Sequence, residues 1–202
     1  MRTLRPSSEE EMVALFLRGE LGSDRFGPPL RDALAAEDVP ETVVTAPILE
    51  DAGENAARLR LLDATREYGR RTGLFEGFPH DVRWDWVALT REELLAVRYI
   101  DWSYWLELSG QTRLPTEAAA RITAGLKPFG VPNDGVLTLA DELAQGARFP
   151  PLIVVSERET GGDVVAEGHV RLTAMALAAE SLPDEIETLR GVSPAMAGWS
   201  NY

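Results

Sequence analysis

The residues best suited to catalysis or ligand binding lie together at positions 167–171, where the sequence is Glu-Gly-His-Val-Arg. A valine-rich stretch precedes this run and a stretch with helical spacing follows it, so it is predicted to join a strand to a helix. Gly168 allows a ligand to approach the backbone closely. The first turn of a helix also presents unpaired N–H groups and a positive dipole end. The run therefore predicts an anion site at the start of a helix.

Each polar side chain of this run suits a different part of anion chemistry. Arg171, one turn into the helix, can form a forked pair with a phosphate or a carboxylate. His169 titrates near neutrality when it is exposed, and Glu167 ends the strand, so either could serve as a general base. The same residue types are equally typical of a structural junction, in which Glu167 caps the helix, Arg171 forms an ion pair and His169 packs in the core.

Two further groups could contribute to a ligand site. Arg113 lies in a glycine-containing loop, residues 109–113, and is a candidate phosphate ligand; the alternative is a solvated arginine at a helix end. Several aromatic residues could form a platform for stacking bases, although their spacing favours core packing; they are Trp84, Trp86, Tyr99, Trp102, Tyr104 and Trp105.

Composition excludes several classes of chemistry. The chain has no cysteine, which removes disulfides, thiolate nucleophiles and cysteine-bound zinc. Its two histidines, His80 and His169, are too far apart for a zinc motif, and no metal site of the protein's own is predicted. No Walker loop, Gly-x-Ser-x-Gly or Gly-x-Gly-x-x-Gly motif occurs.

The charge balance bears on partners and location. With 33 acidic against 20 basic residues the net charge is -13, and Lys127 is the only lysine. Such a surface repels phosphate backbones, so nucleic acid is not expected as a partner. No apolar run is long enough for a membrane span, so no membrane partner is expected. No signal-peptide pattern is present, and we therefore expect a cytoplasmic location.

Hydrophobic periodicity and turn signals predict the elements that position the run. Strands are predicted at 82–89, 152–155, 163–167 and 185–190, with a short β-type run at 42–45. A helix over 92–108, apolar on nearly every side, is predicted to be buried together with Trp102. Met196 and Trp199 of the tail are expected to dock on the body. The remaining predicted helices span 9–20, 29–37, 54–72, 115–125, 138–146 and 169–180.

The segment from Gly168 to Ala174 resembles the ParB/sulfiredoxin-like superfamily, in which a strand enters a Gly-His/Glu-x-Arg-x-x-Ala helix start. The likeness is most specific over 138–190 and suggestive over 80–137. It implies an α/β (α+β) fold with a small mixed sheet of ParB/sulfiredoxin-like type, placed at 80–202. Residues 1–79 have no counterpart in the superfamily, and their periodicity predicts a helical N-terminal segment that packs on this domain.

Within that superfamily, three branches can be compared with this chain. Sulfiredoxins have a cysteine where Gly168 stands, so sulfinic-acid repair is excluded. Chromosome-partitioning members bind CTP and then DNA through a following domain, which an acidic chain that ends soon after the last strand does not suit. The closest version is the Gly-His-His-Arg motif of free-serine kinases, preceded by an acidic residue, although Val170 replaces the second histidine.

The resemblance implies a nucleotide- or phosphate-binding protein, and a phosphotransferase acting on a small hydroxyl substrate is one expectation. Glu167 and His169 would be catalytic, and ATP or another nucleotide would arrive with magnesium, held by Glu167 or a nearby aspartate. The ligand would be bound by Gly168, Val170, Arg171, Thr173 and Arg113. The alternative is a non-catalytic module for ligand sensing or protein interaction that retains the fold, and the sequence does not decide whether the chain is an enzyme.

Overall fold

Five strands form one mixed sheet in the computed structural model, which describes residues 1–202. The sheet has the order β1-β2-β5-β3-β4. Strands β3 and β5 run parallel, and the other neighbouring pairs are antiparallel. The strands are β1 (Arg2–Pro6), β2 (Arg83–Thr90), β3 (Leu152–Ser156), β4 (Val164–Glu167) and β5 (Glu185–Val192).

Nine α-helices surround the sheet, and local sequence signals explain several of their ends. The hydroxyl of Ser8 accepts a hydrogen bond from the backbone N–H of Glu11 at the start of α1, and Thr90 and Glu93 form a capping box at α5. No helix has the length and apolar character needed to cross a membrane. The helices are α1 (Glu9–Leu21), α2 (Gly27–Ala36), α3 (Thr42–Thr45), α4 (Ala52–Arg66), α5 (Arg91–Leu95), α6 (Ser103–Leu108), α7 (Pro115–Thr123), α8 (Asp134–Ala144) and α9 (His169–Leu177).

The two faces of the sheet bury separate hydrophobic clusters. Because side chains alternate along a strand, Ile153 and Val155 of β3 face one cluster while Leu152 and Val154 face the other. Helices α1 to α4 cover the first face, and α5, α7 and α9 cover the second. Residues 1–79 thus supply one complete helical layer, and they also supply strand β1 of the same sheet.

The strands and the helix around residues 167–171 agree with the sequence prediction. Strands β2, β3, β4 and β5 and helix α9 lie at the predicted places, and β3 pairs with β4 as the predicted hairpin. The tail also docks as predicted, since Met196 and Trp199 are buried and the Trp199 indole N–H donates to the Leu74 carbonyl. The helix predicted over 54–72 ends earlier, at Arg66.

The prediction of one buried helix over 92–108 is wrong. Helix α5 ends at Leu95, and the chain then runs beside β4, where Arg98 N donates to Asp163 O and Val165 N donates to Arg98 O, both at 2.9 Å. Strand β4 would otherwise be a bare sheet edge, so backbone pairing there outweighs helix propensity. Trp102 lies just before α6 and is 52% exposed, so its predicted burial is also wrong.

The β-type run predicted at 42–45 is instead the single-turn helix α3. Val43 and Val44 are buried in the helical layer, where no strand lies beside them to complete a ladder. A β-branched pair packs in either conformation, and tertiary surroundings decide between them. Strand β1 is largely exposed, and its residues do not alternate between buried and exposed. It forms because β2 offers it an edge for backbone pairing.

Candidate functional site

The turn between β4 and α9 has a backbone that only glycine adopts easily. Gly168 has φ of 101°, and a Cβ added there would lie 2.5 Å from Leu152 Cδ2. The chain can therefore turn sharply from the strand into the helix. The first three N–H groups of α9, from His169 to Arg171, have no intrahelical acceptor, as at any helix start. This is the predicted strand–glycine–helix junction.

The guanidinium of Arg171 is held by groups of the protein itself. Its Nη2 donates to Glu167 Oε1 at 2.7 Å, and its Nη1 donates to the carbonyls of Pro150 and, at 2.8 Å, Pro151. The two side chains of the ion pair are only 11% and 17% exposed. Arg171 and Glu167 are thus brought together, but as partners of each other.

The helical layer adds a second ion pair beside the first. Arg66 of α4 donates to both carboxylate oxygens of Glu20 on α1, at 2.6 and 2.9 Å, and its guanidinium lies 3.4 Å from the centre of the Phe26 ring. Burial raises the pKa of Glu20 although Arg66 opposes the effect. A Cβ on Gly19 would lie 2.6 Å from Glu167 Oε1, so α1 packs directly against the Glu167–Arg171 pair.

His169 lies in an apolar, aromatic setting. Its ring stacks on Trp105 with centroids 5.0 Å apart, and it lies nearly parallel to Tyr99 at 6.4 Å. Burial, together with the positive charges of Arg171 and Arg66, lowers the pKa of His169 to about 3. The imidazole is therefore neutral at physiological pH, and its buried Nε2 has no hydrogen-bond partner.

A cavity of about 230 Å³ opens beside the first turn of α9. Val170 and Thr173 of α9 form part of its wall, and most of the lining is apolar. Tyr104 and Trp105 of α6 supply aromatic surface, so two of the six aromatic residues noted in the sequence line the cavity. Val170, in the first turn of α9, remains 49% exposed at this place.

The other two candidate ligand residues have structural partners. The hydroxyl of Thr173 donates to the His169 carbonyl at 2.9 Å and lies 2.6 Å from the Tyr99 hydroxyl. The guanidinium of Arg113 donates to the carbonyls of Tyr99, Asn201 and Tyr202, and burial lowers its pKa. No hydrogen bond joins Arg113 to residues 167–171; it ties the last two residues of the chain to the body.

The sequence did not identify the residues that the helical layer and the loop before α8 bring to this region. These are Gly19, Glu20 and Arg66 beside the ion pair, and Asn133 in the cavity wall. A glycine inside an otherwise regular helix is a signal of close packing, and Gly19 carries it. Nothing local marks Glu20, Arg66 or Asn133, because their surroundings come from distant parts of the chain.

No protein-family model matches the chain, and searches of curated proteins and of solved structures gave no match either. The structure contains no group of three or more His, Asp or Glu side chains able to hold a metal. The carboxylate expected to hold magnesium, that of Glu167, is already bonded to Arg171. That bond engages the Oε1 atom of Glu167 alone.

Proposed function

We propose that the chain is a ligand-binding protein of ParB/sulfiredoxin-like type that takes a nucleotide in the cavity beside α9. The base would occupy the aromatic and apolar cavity, and a phosphate would meet the free N–H groups at the start of α9. One observation carries the proposal: Val170 belongs both to the cavity wall and to the first turn of that helix. A single molecule can thus contact both features.

The size of the cavity agrees with one ring system. Pockets for drug-sized ligands measure roughly 300–1,000 Å³, and this cavity, at about 230 Å³, is smaller. The sugar and phosphates would then lie at the mouth, where the side chains of Val131 and Val170 are exposed. A helix start favours negative charge there through its dipole and its N–H groups.

The geometry supports binding in preference to phosphate transfer. A general base must be free to accept a proton from the substrate. Glu167 is bonded to Arg171, and His169, with a pKa near 3, is a weak base. Of the two functions that the sequence leaves open, the non-catalytic ligand-sensing module is therefore the one we propose.

Calorimetry and tryptophan fluorescence with ATP and CTP test the proposal, since Trp105 lines the cavity. Val170→Glu and Val170→Gln form a matched pair of variants, because the two side chains have nearly the same shape and the position is half exposed. The glutamate should weaken nucleotide binding about tenfold relative to the glutamine, through repulsion of phosphate at close range.

The free nucleosides serve as the control for this pair. Adenosine and cytidine carry no phosphate, so the two variants should bind them equally. Absence of binding by the unaltered protein, or equal nucleotide binding by the two variants, would contradict the proposal. Release of phosphate from ATP, or its transfer to an added small alcohol such as serine, would instead favour the phosphotransferase.

A further inference from the structure

Helix α8 presents an exposed leucine between two carboxylates. Leu137 is 42% exposed, and the exposed residues Asp134 and Asp141 lie three positions before it and four positions after it. Residues with this spacing share one face of a helix, so the three side chains form a single row along α8. At 1.5 Å per residue, the two carboxylates are attached about 10 Å apart along the helix, on either side of the leucine.

The chain itself does not neutralise this row. Neither Asp134 nor Asp141 forms an ion pair with another residue. Helix α8 also carries Glu142, which is exposed, and it contains no basic residue. The nearest basic residues in the sequence, Lys127 and Arg148, lie before and after the helix. The exposed side of α8 is therefore negatively charged.

The loop before α8 adds Phe129, which at 71% is the most exposed large apolar side chain of the protein. Its φ of 52° lies in the left-handed region, which a bulky residue rarely adopts. Hydrogen bonds fix the loop, since Val131 N donates to the Pro128 carbonyl at 2.9 Å and Asn133 Nδ2 donates to the Leu126 carbonyl at 2.6 Å. An apolar group on a support that is already ordered costs a partner little entropy on binding.

Phe129 and Leu137 lie on either side of one wall of the cavity. Val131 and Val136 both line the cavity, so the chain between them runs along its wall. Phe129 comes two residues before this stretch and Leu137 one residue after it, and neither belongs to the lining. Both side chains are therefore exposed outside the cavity. We call Phe129, Asp134, Leu137 and Asp141 the α8 surface.

The charge of the α8 surface favours one kind of occupant. A second copy of the chain would bring carboxylates against carboxylates, and two molecules of net charge -13 repel each other. Nucleic acids and anionic lipid surfaces are repelled in the same way. A segment that carries basic residues on both sides of an apolar one is complementary to the row. A helix reproduces the spacing of Asp134 and Asp141 with two of its own residues seven positions apart.

We infer that the α8 surface binds a basic amphipathic helix of a partner protein. Two arginines or lysines of the partner, seven positions apart, pair with Asp134 and Asp141. An apolar residue between them packs on Leu137 and Phe129. The apolar contact supplies most of the affinity, and the charges select the partner. This inference does not depend on the proposed nucleotide, because it uses no residue assigned to the ligand.

Two designed peptides test the inference with the intact chain in solution. Both are alanine-based helices of about 15 residues. One carries a leucine between two arginines at the spacing of the α8 row, and the other has glutamates in place of the arginines. Fluorescence anisotropy should show that the arginine peptide binds at least about tenfold more tightly than the glutamate peptide. Asp134→Arg combined with Asp141→Arg should reverse this preference.

The control for charge is Asp24→Arg combined with Asp184→Arg. These two positions are exposed outside the α8 surface, and the double change alters the net charge by the same amount. It should leave the arginine peptide preferred. For the apolar contact, Phe129→Ser should weaken binding of the arginine peptide about fivefold or more. Ile48→Ser, at a position 53% exposed in the helical layer, should not change it.

Absence of binding by the arginine peptide would overturn the inference. Equal responses of the two double variants would also overturn it, because general acidity would then be the cause of binding. Analytical ultracentrifugation covers the remaining occupant: a dimer of the unaltered protein that Phe129→Ser dissociates would assign the surface to a second copy instead. Nucleotide binding is measured separately, so none of these results decides the proposed function.

Discussion

Arg171 donates to Glu167 across 2.7 Å, between the first turn of α9 and the last residue of β4. The sequence suggested two roles for this arginine, as a phosphate ligand or as a member of a structural ion pair. The contacts correspond to the second, because the Pro150 and Pro151 carbonyls hold the same guanidinium. The Glu167–Arg171 pair stabilises the turn at Gly168, on the side that α1 covers.

Arg171→Ala should lower the free energy of unfolding by about 3 kcal/mol, since removing one partner of a buried pair leaves the other charge uncompensated. Urea denaturation followed by circular dichroism measures the change. Arg158→Ala is the control, because the Arg158–Glu157 pair is largely exposed on its arginine side and should contribute less than about 1 kcal/mol. Unchanged stability with lost nucleotide binding would restore Arg171 as the phosphate ligand.

Trp102 and Trp105 lie three residues apart and should respond very differently to truncation. Trp102→Ala should change the free energy of unfolding by less than about 1 kcal/mol, because the side chain is mostly exposed. Trp105→Ala should cost about 3 kcal/mol, because its ring packs against Tyr99, Tyr104 and His169. Similar losses from both variants, measured by thermal melting, would contradict the observed placement of α6.

His169 should make the protein less stable as the pH falls. Its folded pKa, about 3, lies below the ordinary value of 6.5, so between these values the unfolded chain binds more protons. Stability then rises with pH across that window and is lost progressively below about pH 6.5. His169→Phe keeps a flat ring and removes the titration, so its unfolding free energy should depend less steeply on pH.

The unfolding free energies of the unaltered protein and of His169→Phe should be compared between pH 4 and pH 7. The two proteins share all their carboxylates, so the contribution of those groups to the pH dependence cancels in the difference. Nuclear magnetic resonance gives an independent measurement, in which the His169 ring signals should not shift between about pH 5 and pH 8. A midpoint near neutrality would show that the ring is solvated, and it would restore His169 as a candidate general base.

Gly19→Ala should destabilise the protein by about 1–2 kcal/mol although alanine is the better helix former. The added methyl would lie 2.6 Å from Glu167 Oε1 and 3.1 Å from Arg171 Nη2, so the ion pair must shift. Gly135→Ala is the matched control, because a methyl there meets no atom within 4 Å in the first turn of α8. It should be neutral or stabilising by about 0.5 kcal/mol in the same denaturation assay.

The strands and the helix closest to residues 167–171 could be predicted from local sequence patterns. Valine-rich segments bounded by turn residues fixed the hairpin of β3 and β4, and the spacing after Gly168 fixed α9. These signals suffice because a strand buried on both faces and a helix with one apolar face each impose their own periodicity. Strand β2 was predictable for the same reason, since Trp84 and Trp86 alternate with polar residues.

The errors fell where long-range pairing opposes local preference. Residues 97–101 have the composition of a buried helix, but the edge of β4 required partners for its backbone groups, and Arg98 supplies them. The first strand formed only because β2 presents a free edge to it. Neither pairing produces a local sequence signal in the residues concerned, because the partner strand is distant in the sequence.

The sequence by itself determined that a glycine turn joins a strand to a helix and that Glu167, His169 and Arg171 cluster there. Only the tertiary structure decided what each of them does, because charge pairing and burial depend on which groups face one another. Helix α1 lies against the Glu167–Arg171 pair, Trp105 stacks on His169, and the cavity wall contains Asn133 of the loop before α8. Those neighbours come from parts of the chain far from the run, so no local pattern could assign them.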